Sequence, residues 1–115
     1  MVEARPGSGL LFVMIDVKPE FEDELHRWYE QEHIPERLAC AGFRNARRFQ
    51  AVEGSPKFLA TYELDSPEVL DGPDYQRLIP PSEWTKRVTS QFTAYARNVY
   101  REITPSSVVS APSDD

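Results

Sequence analysis

The alternation of apolar and polar residues predicts four β-strands in this chain. The runs that fit a strand are 9–17, 42–53, 56–65 and 92–103. The first is apolar on both of its faces, so both faces must be covered in the folded protein. The third alternates more regularly, and its apolar face carries Phe58, Ala60, Tyr62 and Leu64. A Gly-Ser-Pro turn at 54–56 separates the second and third strands.

Two helical regions lie between these strands. Pro19 suits the first turn of a helix and is followed by acidic residues, which favour a helix N-terminus. This helix is expected to end near Ile34, because a residue before proline disfavours the α conformation. Pro35 then begins a short helix through Leu38. The second region begins at Ser66-Pro67, is interrupted at Gly72-Pro73, and restarts with Ser82 as an N-cap.

The resulting order, β-α-β-β-α-β, predicts an α+β protein with a ferredoxin-like, antiparallel four-stranded sheet. Two helical regions can cover only one face of such a sheet. The other face then requires a second copy of the chain, which predicts a homodimer whose sheets pack against each other as a dimeric α+β barrel. We expect a single domain at 9–104, preceded by a flexible N-terminus at 1–8 and followed by a disordered acidic Pro/Ser tail at 105–115.

Composition narrows the range of partners. The 115 residues carry a formal net charge of −6, which argues against binding to nucleic acid. Cys40 is the only cysteine, so an intrachain disulfide or a paired-cysteine metal site is excluded. The sequence shows neither an apolar run of about 20 residues nor a signal peptide. We therefore expect a cytoplasmic protein with a small-molecule substrate and no membrane partner.

One side of the first helix combines apolar and chemically active residues. On a helical wheel centred on Leu25, Glu32 falls about 20° from the centre of the apolar stripe and His33 about 80° from it. The aromatic members of this stripe are Phe21, Trp28 and Tyr29. A carboxylate among them is costly unless it is paired or neutral. Glu32 is therefore either an acid–base group or a structural partner of Arg47 or Arg48.

His33 is the main candidate for catalysis. Imidazole titrates near physiological pH, and the expected helix end would let this ring point into a cavity. His26 lies on the polar side of the helix and is expected to be solvated. The two histidines are seven residues apart, about 10 Å along the helix axis, which is too far for both to bind one metal ion. No metal site is predicted.

Other residues could complete a pocket around His33. Tyr62 lies on the apolar face of its strand, where a buried hydroxyl needs a partner and the small Ala60 leaves room for a ligand. Arg47 and Arg48 point to opposite faces of the second strand, and alternation leaves open which one faces the pocket. The aromatic residues expected to form its walls and bind substrate are Trp28, Tyr29, Phe49 and Trp84.

Three segments carry a resemblance to a known family. They are WYEQEHIPERL at 28–38, FLATYELDSPEVL at 58–70 and PSEWTKRV at 81–88. Together they resemble the EthD-like branch of the dimeric α+β barrel superfamily over about residues 10–103. The resemblance implies a dimer with a cavity between sheet and helices, and it matches His33 to the family's signature histidine. The superfamily includes cofactorless monooxygenases, isomerases, cyclases and haem-binding proteins.

These observations favour a small cofactor-independent enzyme acting on an apolar, oxygenated, ring-bearing metabolite. His33 would be the general acid or base, Glu32 would orient it or share its proton, and Tyr62 with Arg48 would stabilise an oxyanion. Isomerisation, cyclisation, dehydration and cofactorless oxygenation all fit this set. One alternative is a non-catalytic small-ligand-binding or stress-associated dimer. Another is a haem-binding or haem-degrading protein with His33 as axial ligand.

Overall fold

A four-stranded antiparallel sheet forms one layer of the protein, whose computed structural model describes residues 8–104. The strands are β1 (Gly9–Val17), β2 (Phe43–Gln50), β3 (Phe58–Leu64) and β4 (Phe92–Arg101). Their order across the sheet is β2-β3-β1-β4. This confirms the ferredoxin-like α+β fold. The predictions for residues 1–7 and 105–115 lie outside the described residues.

The helices pack on one face of the sheet. The first helical region contains a 3₁₀ turn (Pro19–Phe21), α1 (Glu22–Trp28), a π-helical turn (Tyr29–His33) and α2 (Ile34–Leu38). The second contains a 3₁₀ helix (Pro67–Asp71), α3 (Pro73–Gln76) and α4 (Glu83–Thr89). Ser82 caps α4 as predicted, since its hydroxyl accepts a hydrogen bond from the Thr85 N–H at 3.0 Å. Within residues 8–104, none of these helices has the length and apolar character needed to cross a bilayer.

The predicted end of the first helix before Pro35 is wrong. His33 and Ile34 both keep right-handed helical dihedral angles, and the helix continues through the proline to Leu38. The Ile34 N–H bonds to the Tyr29 carbonyl, five residues earlier, which defines a π turn. Proline lacks an N–H, so a helix that contains it must rearrange its hydrogen bonds nearby. Here the wide turn lies immediately before Pro35.

The core lies between the helices and the inner face of the sheet. Leu11 and Ile15 of β1 are at most 3% exposed and pack with Leu25 of α1 and Val88 of α4. The predicted inner face of β3 is confirmed, because its four residues Phe58, Ala60, Tyr62 and Leu64 are all buried. The alternation of β1 and β3 therefore determines which side chains face the helices.

The opposite, outer face of the sheet has apolar residues that no helix within residues 8–104 covers. Leu10, Phe12 and Met14 of β1 lie on it, since their neighbours in sequence point towards the helices. Met14 pairs with Leu59 of β3, and Leu10 pairs with Tyr100 of β4, whose side chain is 48% exposed. This outer face is the surface for which the sequence predicts a second copy of the chain.

Candidate functional site

A cavity of about 180 Å³ lies between the helices and the inner face of the sheet. Its walls come from β1, β3, β4, α3, α4 and the helical segment 28–37. Four of its lining residues also line a wider cleft of about 510 Å³ at the surface: Arg37, Tyr75, Thr85 and Arg97. We call the first the inner cavity, the second the outer cleft, and the region of shared residues the passage. Ligand pockets commonly measure about 300–1,000 Å³, so the two spaces together suit a small molecule.

The π turn brings His33 into the inner cavity. Its ring lies 4.1 Å from that of Trp28, centroid to centroid, and meets the Tyr29 ring edge-on at 5.3 Å. In a regular α-helix, residues five apart such as Trp28 and His33 point about 140° away from each other. The wider π turn places the two side chains on the same side of the helix, where their rings stack. His33 therefore lines the cavity beside the apolar stripe, not at its edge.

His33 is a neutral imidazole at physiological pH. Burial, followed by the positive charges of Arg37 and Arg48, lowers its pKa to about 3. The ring makes aromatic contacts, but within residues 8–104 it has no hydrogen-bond partner. A neutral imidazole carries one N–H donor and one lone-pair acceptor. Both are therefore available to a ligand in the cavity.

Tyr62 contributes a second unpartnered polar group. Its side chain is 1% exposed and lines the cavity, with its ring centroid 6.3 Å from that of His33. The hydroxyl has no hydrogen-bond partner among the described residues, and burial raises its pKa. A buried, unpaired hydroxyl is costly, and functional sites are one place where such groups are retained. Tyr62 is thus ready to donate a hydrogen bond to a ligand oxygen.

Glu32 lies in a different network from the one expected. Its Oε2 accepts hydrogen bonds from the Ser82 hydroxyl at 2.6 Å and the Thr85 hydroxyl at 3.0 Å. Thr85 in turn accepts from Trp28 Nε1 at 3.1 Å. The partners of Glu32 are thus hydroxyls, and the alternative of an ion pair with Arg47 or Arg48 is wrong. Glu32 does not line the cavity, and it fixes Trp28 and the start of α4.

Arg48, and not Arg47, faces the helices. Its guanidinium lies over the Tyr29 ring, 4.1 Å from the centroid, and its Nη1 is 3.0 Å from His26 Nδ1. Strand alternation places Arg47 on the outer face, over Phe49. Arg48 is outside the cavity lining, where it supports Tyr29 and adds positive charge near His33. The expectation of a solvated His26 is wrong, because this ring is partly buried against Phe58.

Two predicted wall residues lie away from the cavity, whereas Trp28 and Tyr29 line it. Phe49 follows Arg48 in β2, so the period of two places it on the outer face, where it is 40% exposed. Trp84 packs against the core from α4, and its Nε1 donates to Glu24 of α1 at 3.1 Å. Phe49 and Trp84 therefore do not form walls of the inner cavity, and their role in binding substrate stays a prediction.

Two arginines at the passage were missed by the sequence analysis. Arg37 follows His33 by four residues, which places both on one side of the helix. Arg97 lies on the inner face of β4 opposite Val13, and its guanidinium donates to the Tyr75 hydroxyl at 3.1 Å. The spacing from His33 was a signal for Arg37. Arg97 could be found only after the register of β4 against β1 was known.

Residues 9–102 match a family model described as a domain of unknown function, DUF4286. The chain belongs to the DUF4286 family. No curated protein matches it in sequence. The EthD-like resemblance of the three segments named above stays a prediction.

Solved structures share the fold of this DUF4286 member at low sequence identity. A dimeric ferredoxin-like protein from an uncultured marine organism has a TM-score of 0.65 and 18% identity, covering 86% of this chain and 90% of that one. A candidate antibiotic biosynthesis monooxygenase from Bordetella bronchiseptica has a TM-score of 0.62 and 15% identity, with coverages of 85% and 99%. The haem degrader MhuD from Mycobacterium tuberculosis has a TM-score of 0.61 and 13% identity, with coverages of 84% and 97%. At these identities the likeness shows the fold alone.

The likeness to a haem degrader calls for a test of fit. MhuD has been solved with two haems in its active site. In the present protein the space beside His33 is about 180 Å³, below the range typical even of drug-sized ligands. Its walls include the buried rings of Trp28, Tyr29 and Tyr62. The inner cavity alone is therefore too small for a haem ligated by His33.

Proposed function

We propose that this protein is a small cofactor-independent enzyme that moves a proton on an apolar, ring-bearing metabolite with a carbonyl group. One observation carries the proposal. Neutral His33 and the unpartnered hydroxyl of Tyr62 face the same cavity. One is a proton acceptor and the other a hydrogen-bond donor, which together are the two groups that enolisation requires.

The reaction step follows from these two groups. The lone pair of His33 takes a proton from the carbon beside the substrate carbonyl. The electron pair of the broken C–H bond moves onto the carbonyl oxygen, where Tyr62 donates a hydrogen bond to the enolate. The positive charges of Arg37 and Arg48, which disfavour an imidazolium, favour this oxyanion. Return of the proton to another carbon completes an isomerisation.

The same enolate is the starting point for the other reactions that fit this set of residues. Loss of a leaving group gives dehydration, attack on a second carbonyl gives cyclisation, and reaction with dioxygen gives cofactorless oxygenation. Glu32 acts in this scheme as a positioning residue, because it fixes Trp28, on which the His33 ring stacks. Arg48 acts through its charge and through Tyr29.

We also propose that the active form is a homodimer. The outer face presents Phe12, Met14 and Leu59 on adjacent strands, and within residues 8–104 no helix covers it. Burial of apolar area stabilises association by about 25 cal/mol per Å² before the costs of ordering are counted. A second copy would cover this face while leaving the inner cavity, on the opposite side of the sheet, accessible.

The proposal is tested with an enolisable ring ketone, 2-tetralone, dissolved in D₂O. Deuterium incorporation beside the carbonyl is followed by proton NMR, and its rate is compared with that in buffer alone. The wild-type protein should accelerate exchange, and His33→Gln should reduce this acceleration by about 100-fold, since general bases contribute that much or more. His26→Gln is the matched control, because its ring lies outside the cavity.

The same experiment separates catalysis from binding. A non-catalytic ligand-binding dimer would bind 2-tetralone, as measured by calorimetry, without accelerating exchange. That result would contradict an enzymatic role. Acceleration that survives in His33→Gln would instead contradict the assignment of the base, because no proton transfer would then depend on this ring.

A further inference from the structure

The inner cavity is lined by basic residues, although the protein as a whole is acidic. These basic residues are His33, Arg37 and Arg97. Within residues 8–104, no aspartate or glutamate lines the cavity. The chain as a whole has a formal net charge of −6. Clefts lined by one sign of charge concentrate ligands of the opposite sign. The cavity and its passage therefore form a positive region on an acidic protein.

The two arginines of the passage have hydrogen-bonding capacity to spare. Arg97 donates to the Tyr75 hydroxyl, and no carboxylate of residues 8–104 lies within salt-bridge distance of it. Arg37 makes a salt bridge of 3.5 Å with the adjacent Glu36 and lies over the Tyr75 ring, 5.8 Å from its centroid, and its side chain is 14% exposed. Arg77, at the outer cleft, differs because Asp74 holds its guanidinium at 2.6 Å. Arg97 makes no salt bridge among residues 8–104, and the Arg37 ion pair is long, so both guanidinium groups of the passage keep donors for an anion.

We propose that the substrate carries a carboxylate, which Arg37 and Arg97 bind at the passage while its oxygenated ring enters the inner cavity. The placement of the substrate ring in the inner cavity rests on the proposed function. Tyr62 is 1% exposed and lines the cavity, and its hydroxyl has no partner among the described residues, which is the sign that a ligand oxygen belongs there. Guanidinium groups bind carboxylates through charge-assisted, often bidentate hydrogen bonds. The substrate class is therefore a cyclic or aromatic acid with a carbonyl or hydroxyl group away from its carboxylate.

A bound carboxylate would also change the pKa of His33, the proposed general base. Arg37 is one of two positive charges that lower the pKa of His33 in the free protein. A carboxylate on Arg37 offsets this charge, so it should raise the pKa of His33 and make the imidazole a stronger proton acceptor. Acidic substrates would in this way activate the residue that reacts with them. A neutral analogue would occupy the cavity without doing so.

The test compares two probes of nearly the same shape, the anionic 6-hydroxy-2-naphthoate and the neutral 6-hydroxy-2-naphthamide. Affinities are measured by calorimetry. The acid should bind the wild-type protein at least about tenfold more tightly, as expected for hydrogen bonds to a charged group. Arg37→Gln and Arg97→Gln should each reduce this preference, because the loss of a guanidinium weakens binding of the acid more than binding of the amide. Arg77→Gln is the control and should keep the full preference.

The outcomes separate the two proposals. Equal affinity of acid and amide for the wild-type protein would overturn the carboxylate site and leave the proposed enzyme intact. A preference that persists in Arg37→Gln and Arg97→Gln would overturn it as well. Retained amide binding shows that each variant is folded. If neither probe binds, the cavity is not a ligand site, and the proposed function fails together with this inference.

Discussion

The rings of Trp28 and His33 stack at a centroid distance of 4.1 Å with their planes tilted by 31°. Trp28 is itself held by a hydrogen bond from its Nε1 to Thr85, which donates to Glu32. One side of the imidazole is therefore fixed by a chain of contacts that leads to the N-terminus of α4. This chain positions the candidate base without using its nitrogen atoms, which stay available to a ligand.

Glu32→Ala should destabilise the protein by about 2 kcal/mol, because the Ser82 and Thr85 hydroxyls both lose a charged acceptor. Urea unfolding monitored by fluorescence measures this loss. Glu30→Ala is the control: this neighbouring acid is exposed, and its removal should change the free energy of unfolding by less than about 0.5 kcal/mol. Equal effects of the two substitutions would show that the Glu32 network does not hold the helices together.

Tyr62→Phe should stabilise the free protein by about 1 kcal/mol, since it removes a buried hydroxyl that has no partner among the described residues. The same substitution should weaken binding of oxygenated ligands. Tyr75→Phe is the matched control, because its hydroxyl accepts a hydrogen bond from Arg97 and its loss should not stabilise. A decrease in the free energy of unfolding of Tyr62→Phe would mean that the hydroxyl is satisfied in the folded protein.

The depressed pKa of His33 predicts a pH dependence of stability. This pKa is about 3 in the folded protein against 6.5 ordinarily, so the unfolded chain binds the proton more tightly. The stability contributed by neutral His33 is full above pH 6.5 and is lost as the pH falls towards 3. Between pH 6.5 and 5 the loss should be about 2 kcal/mol. In His33→Gln, the free energy of unfolding should lack this part of its dependence on pH. The same pH dependence in wild type and variant would contradict the burial of a neutral ring.

Leu59→Glu should convert the proposed dimer to a monomer, because it places a charge at the centre of the outer face beside Met14. Light scattering coupled to size-exclusion chromatography measures the mass. Val52→Glu is the control, since Val52 is fully exposed in the turn between β2 and β3 and should leave the dimer intact. A wild-type protein that elutes as a monomer would exclude the dimer outright.

Much of the fold could be predicted because β1 and β3 have patterns that few other arrangements satisfy. The doubly apolar β1 had to be covered on both faces, and its inner face packs against the helices. The period of two in β3 placed Tyr62 inside. Ser82 was recognisable as a cap because its hydroxyl and the helix that follows are local in sequence. Local rules therefore predicted the elements and the faces of their residues.

The site was less predictable because it depends on an irregular turn in the first helical region and on a strand pairing between distant parts of the sequence. The π turn shifts His33 around the helix axis, and a wheel drawn at 100° per residue cannot anticipate this. Arg97 reaches the passage only through the pairing of β4 with β1. Glu32 found its hydroxyl partners on α4, about 50 residues away in sequence, so the alternative of an arginine partner was wrong.

A double-mutant cycle on the exchange of 2-tetralone tests the central claim most directly. Rates are measured for wild type, His33→Gln, Tyr62→Phe and the combined variant. If both groups act on one carbonyl, their effects are not independent, and the combined variant should be no slower than His33→Gln alone. Independent losses that multiply in the combined variant, or a Tyr62→Phe protein with wild-type rate, would contradict a shared site at His33 and Tyr62.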